Sequence, residues 1–433
     1  MPRMTRHLLA LGAVACLLVS CTTPERTLST PSPTDPIVVP SPTDEPDPAV
    51  EVDPPRSAGR LPGTLLIRTD AGGMTVLRPD ATRPVAVVDA AANGAQVQQA
   101  TWSPDGRWIA WAELVVADGR AEARVVVSAP DGSGRRESLI PFAPFYLSWD
   151  PTSSRVAFLG GEQPFTLGIV ERRGDPGAKP LAQGIPFYLS WGPTGDRMVT
   201  HVGSEGLDEL ALDGEVTDLG TTSLLQAPSW GPDGSIAFVR PAGGSGAELV
   251  ALDEGSGRIR PLADLEGVAY LVVSPDGSQV AFHGRGPEEQ DFFDRALPDV
   301  ATDLGVRVAA TDGSGEVVAT REPAMAWSWS PDGRRLAVLE PIYGDAQIRF
   351  RWRIWSDQGS FATPPFTGSI AFLQEAAFFT QFAQSTTMWS PDSSAFAYPA
   401  EGDTGSMIWV QPASAGAQPF AVGAGSWVGW SPA

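Results

Sequence analysis

The chain has 433 residues and a formal net charge of −21 at neutral pH. That length suits two or three ordinary domains or one large repeat array, and the acidic balance argues against nucleic acid as a partner and against adhesion to anionic lipid, both of which call for basic patches. Gly and Pro, at 46 and 41 residues, make about a fifth of the chain, below the level of a disordered protein, so it reads as a turn-rich fold.

The first segment is MPRMTRHLLALGAVACLLVSC. Arg3 and Arg6 precede an apolar run, Leu8 to Val19, that is too short to span a bilayer comfortably but suits a signal peptide. It ends Leu18-Val19-Ser20-Cys21, which resembles the lipobox of bacterial lipoproteins. The resemblance implies that residues 1–21 are a lipoprotein signal peptide and that acylated Cys21 anchors the mature chain to the lipid bilayer, extracytoplasmically, at the bacterial cell membrane. Each buried CH₂ of an acyl chain contributes about 0.8 kcal/mol, so a multiply acylated Cys holds where one chain would not. Cys16 would leave with the signal, so no disulfide and no Cys-ligated metal are expected in the mature protein. Residues 22–62 are rich in Pro, Ser, Thr and acids with no apolar period. They read as a disordered, semi-extended linker able to hold a domain on the order of 100 Å from the membrane.

From Trp102 onward one short pattern recurs. WSPDG stands complete at Trp102–Gly106 and Trp329–Gly333, with looser copies starting at Trp149, Trp191, Trp230, Val273 and Trp389, and a last WSPA at Trp430. The prolines of the pattern, at 104, 151, 193, 232, 275, 331, 391 and 432, are 47, 42, 39, 43, 56, 60 and 41 residues apart, a period that signals a propeller or solenoid. Ser-Pro-Asp-Gly suits a type I turn, with Pro fixing φ at the second position. A short apolar run follows each turn, such as WIAWA (108–112), RVAFL (155–159) or QVAFH (279–283), and reads as a strand buried on both faces. A third strand such as ARVVVSA (123–129), a Gly-rich hairpin such as DGSG (131–134 and 312–315) and a fourth strand such as VTDLG (216–220) complete the unit. Each unit is thus four antiparallel strands, A to D, with the motif turn joining A to B. Such sheets bury their faces only against one another, stacked radially with the motif Trp as filler.

The ends complete the pattern. TLLIRT (64–69), MTVLRP (74–79) and PVAVV (84–88) supply B, C and D without an A, and GSWVGWSPA (425–433) supplies an A alone. The expected fold is all-β, an eight-bladed β-propeller over residues 63–433 closed three strands plus one, leaving no open edge. Seven blades is the alternative if one degenerate unit is not a blade.

The repeated WSPDG turn and the IAF-type strand after it resemble the PD40 repeats of TolB-like β-propellers, over essentially all of residues 63–433. The resemblance implies the fold. TolB itself is a soluble periplasmic protein with a separate N-terminal domain that binds a peptidoglycan-associated lipoprotein; a Pro-rich linker stands in that place here, so the TolB role is not carried over. The same repeats form the propeller of prolyl-oligopeptidase-type enzymes, whose hydrolase domain has no counterpart in this sequence.

Chemistry-bearing motifs are sparse. His201 and His283 end equivalent B strands two blades apart, roughly 15–20 Å from each other at about 10 Å per sheet, too far to share a metal. No G-x-S-x-G elbow, H-E-x-x-H or P-loop occurs. No catalytic residue, metal or other cofactor is therefore expected. Carboxylates such as Glu288, Glu289, Asp291 and Asp294 sit in a loop and read as a solvated face, with a propeller hydrolase or lyase acting on envelope glycans or peptides as the alternative.

Partner surfaces are better marked. Strand parity puts the B–C and D–A loops on one face and the motif turns on the other. Two long insertions fall on the first face: 284–303, with Phe292 and Phe293, and 367–385, with Phe378, Phe379 and Phe382. In the second, Phe372, Ala376, Phe379 and Ala383 stand near helical spacing, so a short helix is expected, either capping the channel or joining Phe292 and Phe293 in an aromatic docking patch. Tyr146, Tyr188, Tyr270 and Trp427 share the position three before the last residue of strand A, near the channel mouth, where they either space the blades or bind a peptide or glycan. The function expected is a membrane-anchored, non-catalytic module for an envelope protein, peptide or glycan, with an accessory sensor subunit of a membrane kinase or transporter as a further alternative.

Overall fold

A computed structural model of the chain describes residues 61–433 apart from 82, 91–93, 118–119, 175, 204–205, 223–225, 244–245, 267–268, 285–304, 344–347, 380 and 404. The described chain forms eight radial antiparallel sheets, an eight-bladed β-propeller. Seven sheets have four strands, and the eighth has three, with its innermost strand reduced to one bridge between Trp389 and Phe396. Blade 1 is closed by the two ends: Trp427–Trp430 is its strand A and runs antiparallel to Leu65–Arg68, with Val428 opposite Ile67. Blades 2 to 8 follow in chain order, beginning at Gln96, Pro144, Phe187, Ser229, Ala269, Ala326 and Trp389.

The motif turn works by local hydrogen bonding. In Ser103-Pro104-Asp105-Gly106 the Gly106 amide donates to the Ser103 carbonyl at 2.9 Å, while the Asp105 carboxylate accepts from the Ser103 hydroxyl and the Arg107 amide. The fourth residue lies in the left-handed region, at φ 65° in Gly106 and φ 68° in Gly333, where glycine is unstrained. Ser153 and Ser393 occupy that position at φ 58° in two looser copies. Each gains an inter-blade bond that glycine cannot make: the Ser153 Oγ accepts from the Asp105 amide and the Ser393 Oγ from the Asp332 amide, both at 3.1 Å.

The motif tryptophans join neighbouring blades. Trp102, Trp149, Trp191, Trp329 and Trp389 each donate Nε1–H to the preceding blade's carbonyl just before its own motif position, at Gly429, Thr101, Ser148, Val272 and Ser328. The indole supplies apolar area to the seam and its single donor is satisfied there. The seam between blades 8 and 1 is packed like the others, with Leu65, Ile67 and Trp430 against Ala395, Ile408 and Val410. Ring closure therefore rests on both ladder hydrogen bonds and a buried apolar seam.

Candidate functional site at the channel mouth

The loop-rich face departs most from the repeat. After strand D of blade 7, Gly359–Ala362, the chain does not turn directly into blade 8. Phe366 bridges Phe350, and Ser369 caps a helix, Ile370–Phe379, by accepting from the Phe372 amide. The helix ends four residues earlier than the Phe372–Ala383 spacing suggests. Its sequence, IAFLQEAAFF, is apolar almost all round, and Phe372, Leu373 and Ala376 pack on the seam between blades 7 and 8.

Beyond the helix the chain crosses the start of the inner strands. The Gln381 carbonyl accepts from the Ala227 amide at 2.9 Å, and the Ala383 carbonyl from the Tyr146 hydroxyl at 2.6 Å. The Ser385 carbonyl accepts from the Thr101 hydroxyl, and the Gln384 side-chain amide donates to the Trp327 carbonyl. The Tyr188 hydroxyl donates to Gln381 Oε1 at 2.8 Å. Thr387 then pairs with Trp430, whose amide donates to its carbonyl at 2.7 Å. Inner-strand positions of five blades, together with Ala227 just ahead of a sixth, thus hold one segment, which explains the shortened strand A of blade 8: its residues are diverted across the mouth.

Phe382 is the centre of this closure. It is buried and stacks on Tyr146 with ring centroids 5.2 Å apart, and lies 5.1 Å from Tyr188, 6.0 Å from Phe145 and 5.2 Å from Phe378. Phe379 borders the same nest, 6.4 Å from Tyr146. Burial pushes the Tyr146 and Tyr188 phenols above their ordinary value. The helix is tied down by an ion pair between Glu375 and Arg68, which also donates to the Gln98 carbonyl. Burial raises the Glu375 carboxyl, and Arg68 opposes that shift.

Five of the residues anticipated at this face therefore meet: Tyr146, Tyr188, Phe378, Phe379 and Phe382. Tyr146 and Tyr188 are buried, because the insertion folds back and takes both their rings and their hydroxyls. Tyr270 is buried in the seam between blades 6 and 7, and Trp427 is half-buried at the seam between blades 1 and 2. Phe292, Phe293 and Cys21 lie outside the described residues. His201 is buried with Nδ1 3.0 Å from the Gln226 carbonyl, and His283 lies against Trp327 at 5.9 Å. Among the described residues no group of three His, Cys, Asp or Glu side chains is placed to hold a metal. Thr101, Gln381 and Gln384 escaped sequence reasoning; only the alignment of Thr101 directly before a motif Trp could have drawn attention to it. Elsewhere, a groove of about 330 Å³ between blades 6 and 7 is lined by Val308, Glu316, Val317 and Asp357.

No family model matches the chain, and no curated protein matches it. Among solved structures 740 chains match. Dihydro-heme d1 dehydrogenase NirN in complex with DHE aligns at TM-score 0.54 and 13% identity, covering 89% of this chain and 79% of its own. A eukaryotic initiation factor aligns at TM-score 0.52 and 12% identity, covering 86% and 98%. TolB from Acinetobacter baumannii aligns at TM-score 0.39 and 14% identity, covering 76% and 83%. At such identities the likeness shows the fold alone, and one fold carrying such different proteins does not select a chemistry. The class defined is the eight-bladed β-propeller.

Proposed function

We propose that this protein is a lipid-anchored, extracytoplasmic binding module without catalysis of its own, whose loop-rich face meets a protein, peptide or glycan of the cell envelope. The observation that carries the reading is the closed mouth: Phe382 is buried among Phe145, Tyr146, Tyr188 and Phe378 across the inner strands, while the helix that leads into it leaves Ile370 exposed. Ile370 is 73% exposed, and Phe372, Leu373, Phe378 and Phe379 are half-buried beside it. Exposed apolar area of this kind, rimmed by polar residues, suits association with a macromolecule. The start of the described chain is at the turn face, where Gly63 lies against Pro391 of a motif turn. The acidic charge favours neither nucleic acid nor anionic lipid as the occupant.

The test is photocrosslinking in the native membrane, with a crosslinking residue at Ile370 on the loop-rich face and at Val216 on an outer strand. A distinct partner captured from Ile370 and not from Val216 is expected. Equal capture from both, or none from Ile370, contradicts the assignment of the face. Cys21→Ala should release the protein from membranes, and unchanged retention contradicts the anchor.

A further inference from the structure

The segment Gln381–Ser385 is held as a ligand would be. Three of its carbonyls, at every second residue, accept hydrogen bonds from three different blades: Gln381 from Ala227, Ala383 from Tyr146 and Ser385 from Thr101. The segment begins in a turn, with the Phe382 amide donating to the Phe379 carbonyl at 3.1 Å, and runs on without regular secondary structure, so these carbonyls meet the ring from an irregular stretch. The bonds are to main chain and so are indifferent to sequence, whereas the side chain between the first two is recognised closely. Phe382 fills a nest of Phe145, Tyr146, Tyr188, Phe378 and Phe379. Gln381 adds one side-chain contact, with the Tyr188 hydroxyl. Backbone capture supplying affinity, with one buried aromatic anchor supplying specificity, is a common way for proteins to bind short peptide segments.

We propose that the channel mouth is a peptide-binding cradle occupied in cis by residues 381–385, and that its ligand class is a short peptide carrying one aromatic side chain followed by a small residue. This deepens the binding-module reading and rests on it. The donors that make the cradle, the Ala227 amide, the Thr101 hydroxyl and the Tyr146 and Tyr188 hydroxyls, all belong to the ring and not to the segment. A segment supplied from another chain can therefore meet the same donors once residues 381–385 are withdrawn. While they remain, apparent affinity for any such peptide falls by the fraction of molecules whose cradle is empty.

The experiment uses the chain with residues 381–385 replaced by a Gly-Ser linker of equal length, which keeps Phe378 and Phe379 of the nest, and a labelled synthetic peptide of residues 381–387, Gln-Phe-Ala-Gln-Ser-Thr-Thr. The replaced chain should bind the peptide at least tenfold more tightly than the parent, and a peptide with Ala in place of Phe382 should lose at least tenfold. If a replaced chain that melts cooperatively fails to bind, or binds both peptides alike, the cradle is a structural closure only and the proposal is overturned. Should that replacement not fold, Phe382→Ala in the otherwise intact chain takes its place, with a photoreactive phenylalanine at the anchor position of the peptide. Crosslinks to Tyr146 or Tyr188 support the proposal, and crosslinks elsewhere or none overturn it. Failure here leaves the binding-module reading standing, because that reading is decided separately by partner capture through Ile370 in the membrane.

Discussion

On the turn face, five motif turns carry glycine at the left-handed position, at Gly106, Gly195, Gly234, Gly277 and Gly333, and two carry serine that bonds the neighbouring turn. On the loop-rich face, Arg68, Thr101, Tyr146, Tyr188 and Trp327 meet one non-repeated segment. The first face is assembled from near-copies whose bonds run turn to turn. The second is completed by a single insertion that reaches across the ring. Repetition closes the ring, and what is particular to this chain lies where repetition stops.

The largest expected effect breaks the repetitive side. Removing Ser426–Ala433 takes away the ladder to Leu65–Arg68 and the buried Trp430, and should lower stability by several kcal/mol in denaturant unfolding; an unaltered unfolding midpoint contradicts closure by this strand. On the other face, Phe382→Ala empties the aromatic nest and should cost about 3–5 kcal/mol if the mouth is packed like a core. A loss below about 1 kcal/mol would mark the insertion as loosely seated. Smaller still, Ser153→Ala gives up the bond to the Asp105 amide while keeping the left-handed strain, a loss of about 1 kcal/mol. Ser153→Gly loses the same bond but relieves the strain and should be close to neutral. Equal effects of Ala and Gly there would refute the compensation. Of similar size, Trp102→Phe should cost about 1 kcal/mol more than Trp230→Phe, since Trp102 Nε1 bonds Gly429 whereas Trp230 Nε1 has no hydrogen-bond partner among the described residues.

The ring was legible because its determinants are local and repeated. The Trp-x-Pro register, the turn residues and the apolar run after each turn recur often enough to count blades, and the orphan strands at the two ends predict that Val428 pairs within Leu65–Thr69, where it stands opposite Ile67. The mouth was legible only in part. Helical spacing in 367–385 and strand parity marked a helix on the correct face, and Tyr146 and Tyr188 were assigned to the same neighbourhood. Their burial was not readable, because it depends on where the insertion after blade 7 lands on blades 2 to 4 and on Ala227 ahead of blade 5, and no local pattern encodes that landing. The reduction of strand A in blade 8 escaped for the same reason: Trp389 stands in perfect register, but the residues before it are used elsewhere.

Alkaline titration of the phenols tests the sealed mouth most directly. The chain has five tyrosines. Burial raises Tyr146, Tyr188 and Tyr398 above the ordinary phenol value of 10.0. The folded chain keeps protons that the unfolded chain releases, so their contribution to stability is whole below about pH 10 and declines as the pH rises beyond it. When residues 370–385 are replaced by a Gly-Ser linker, two phenols, Tyr146 and Tyr188, should return toward the ordinary range. A titration curve identical to that of the intact chain, in a replaced protein that still unfolds cooperatively, would show that the insertion does not cover the mouth.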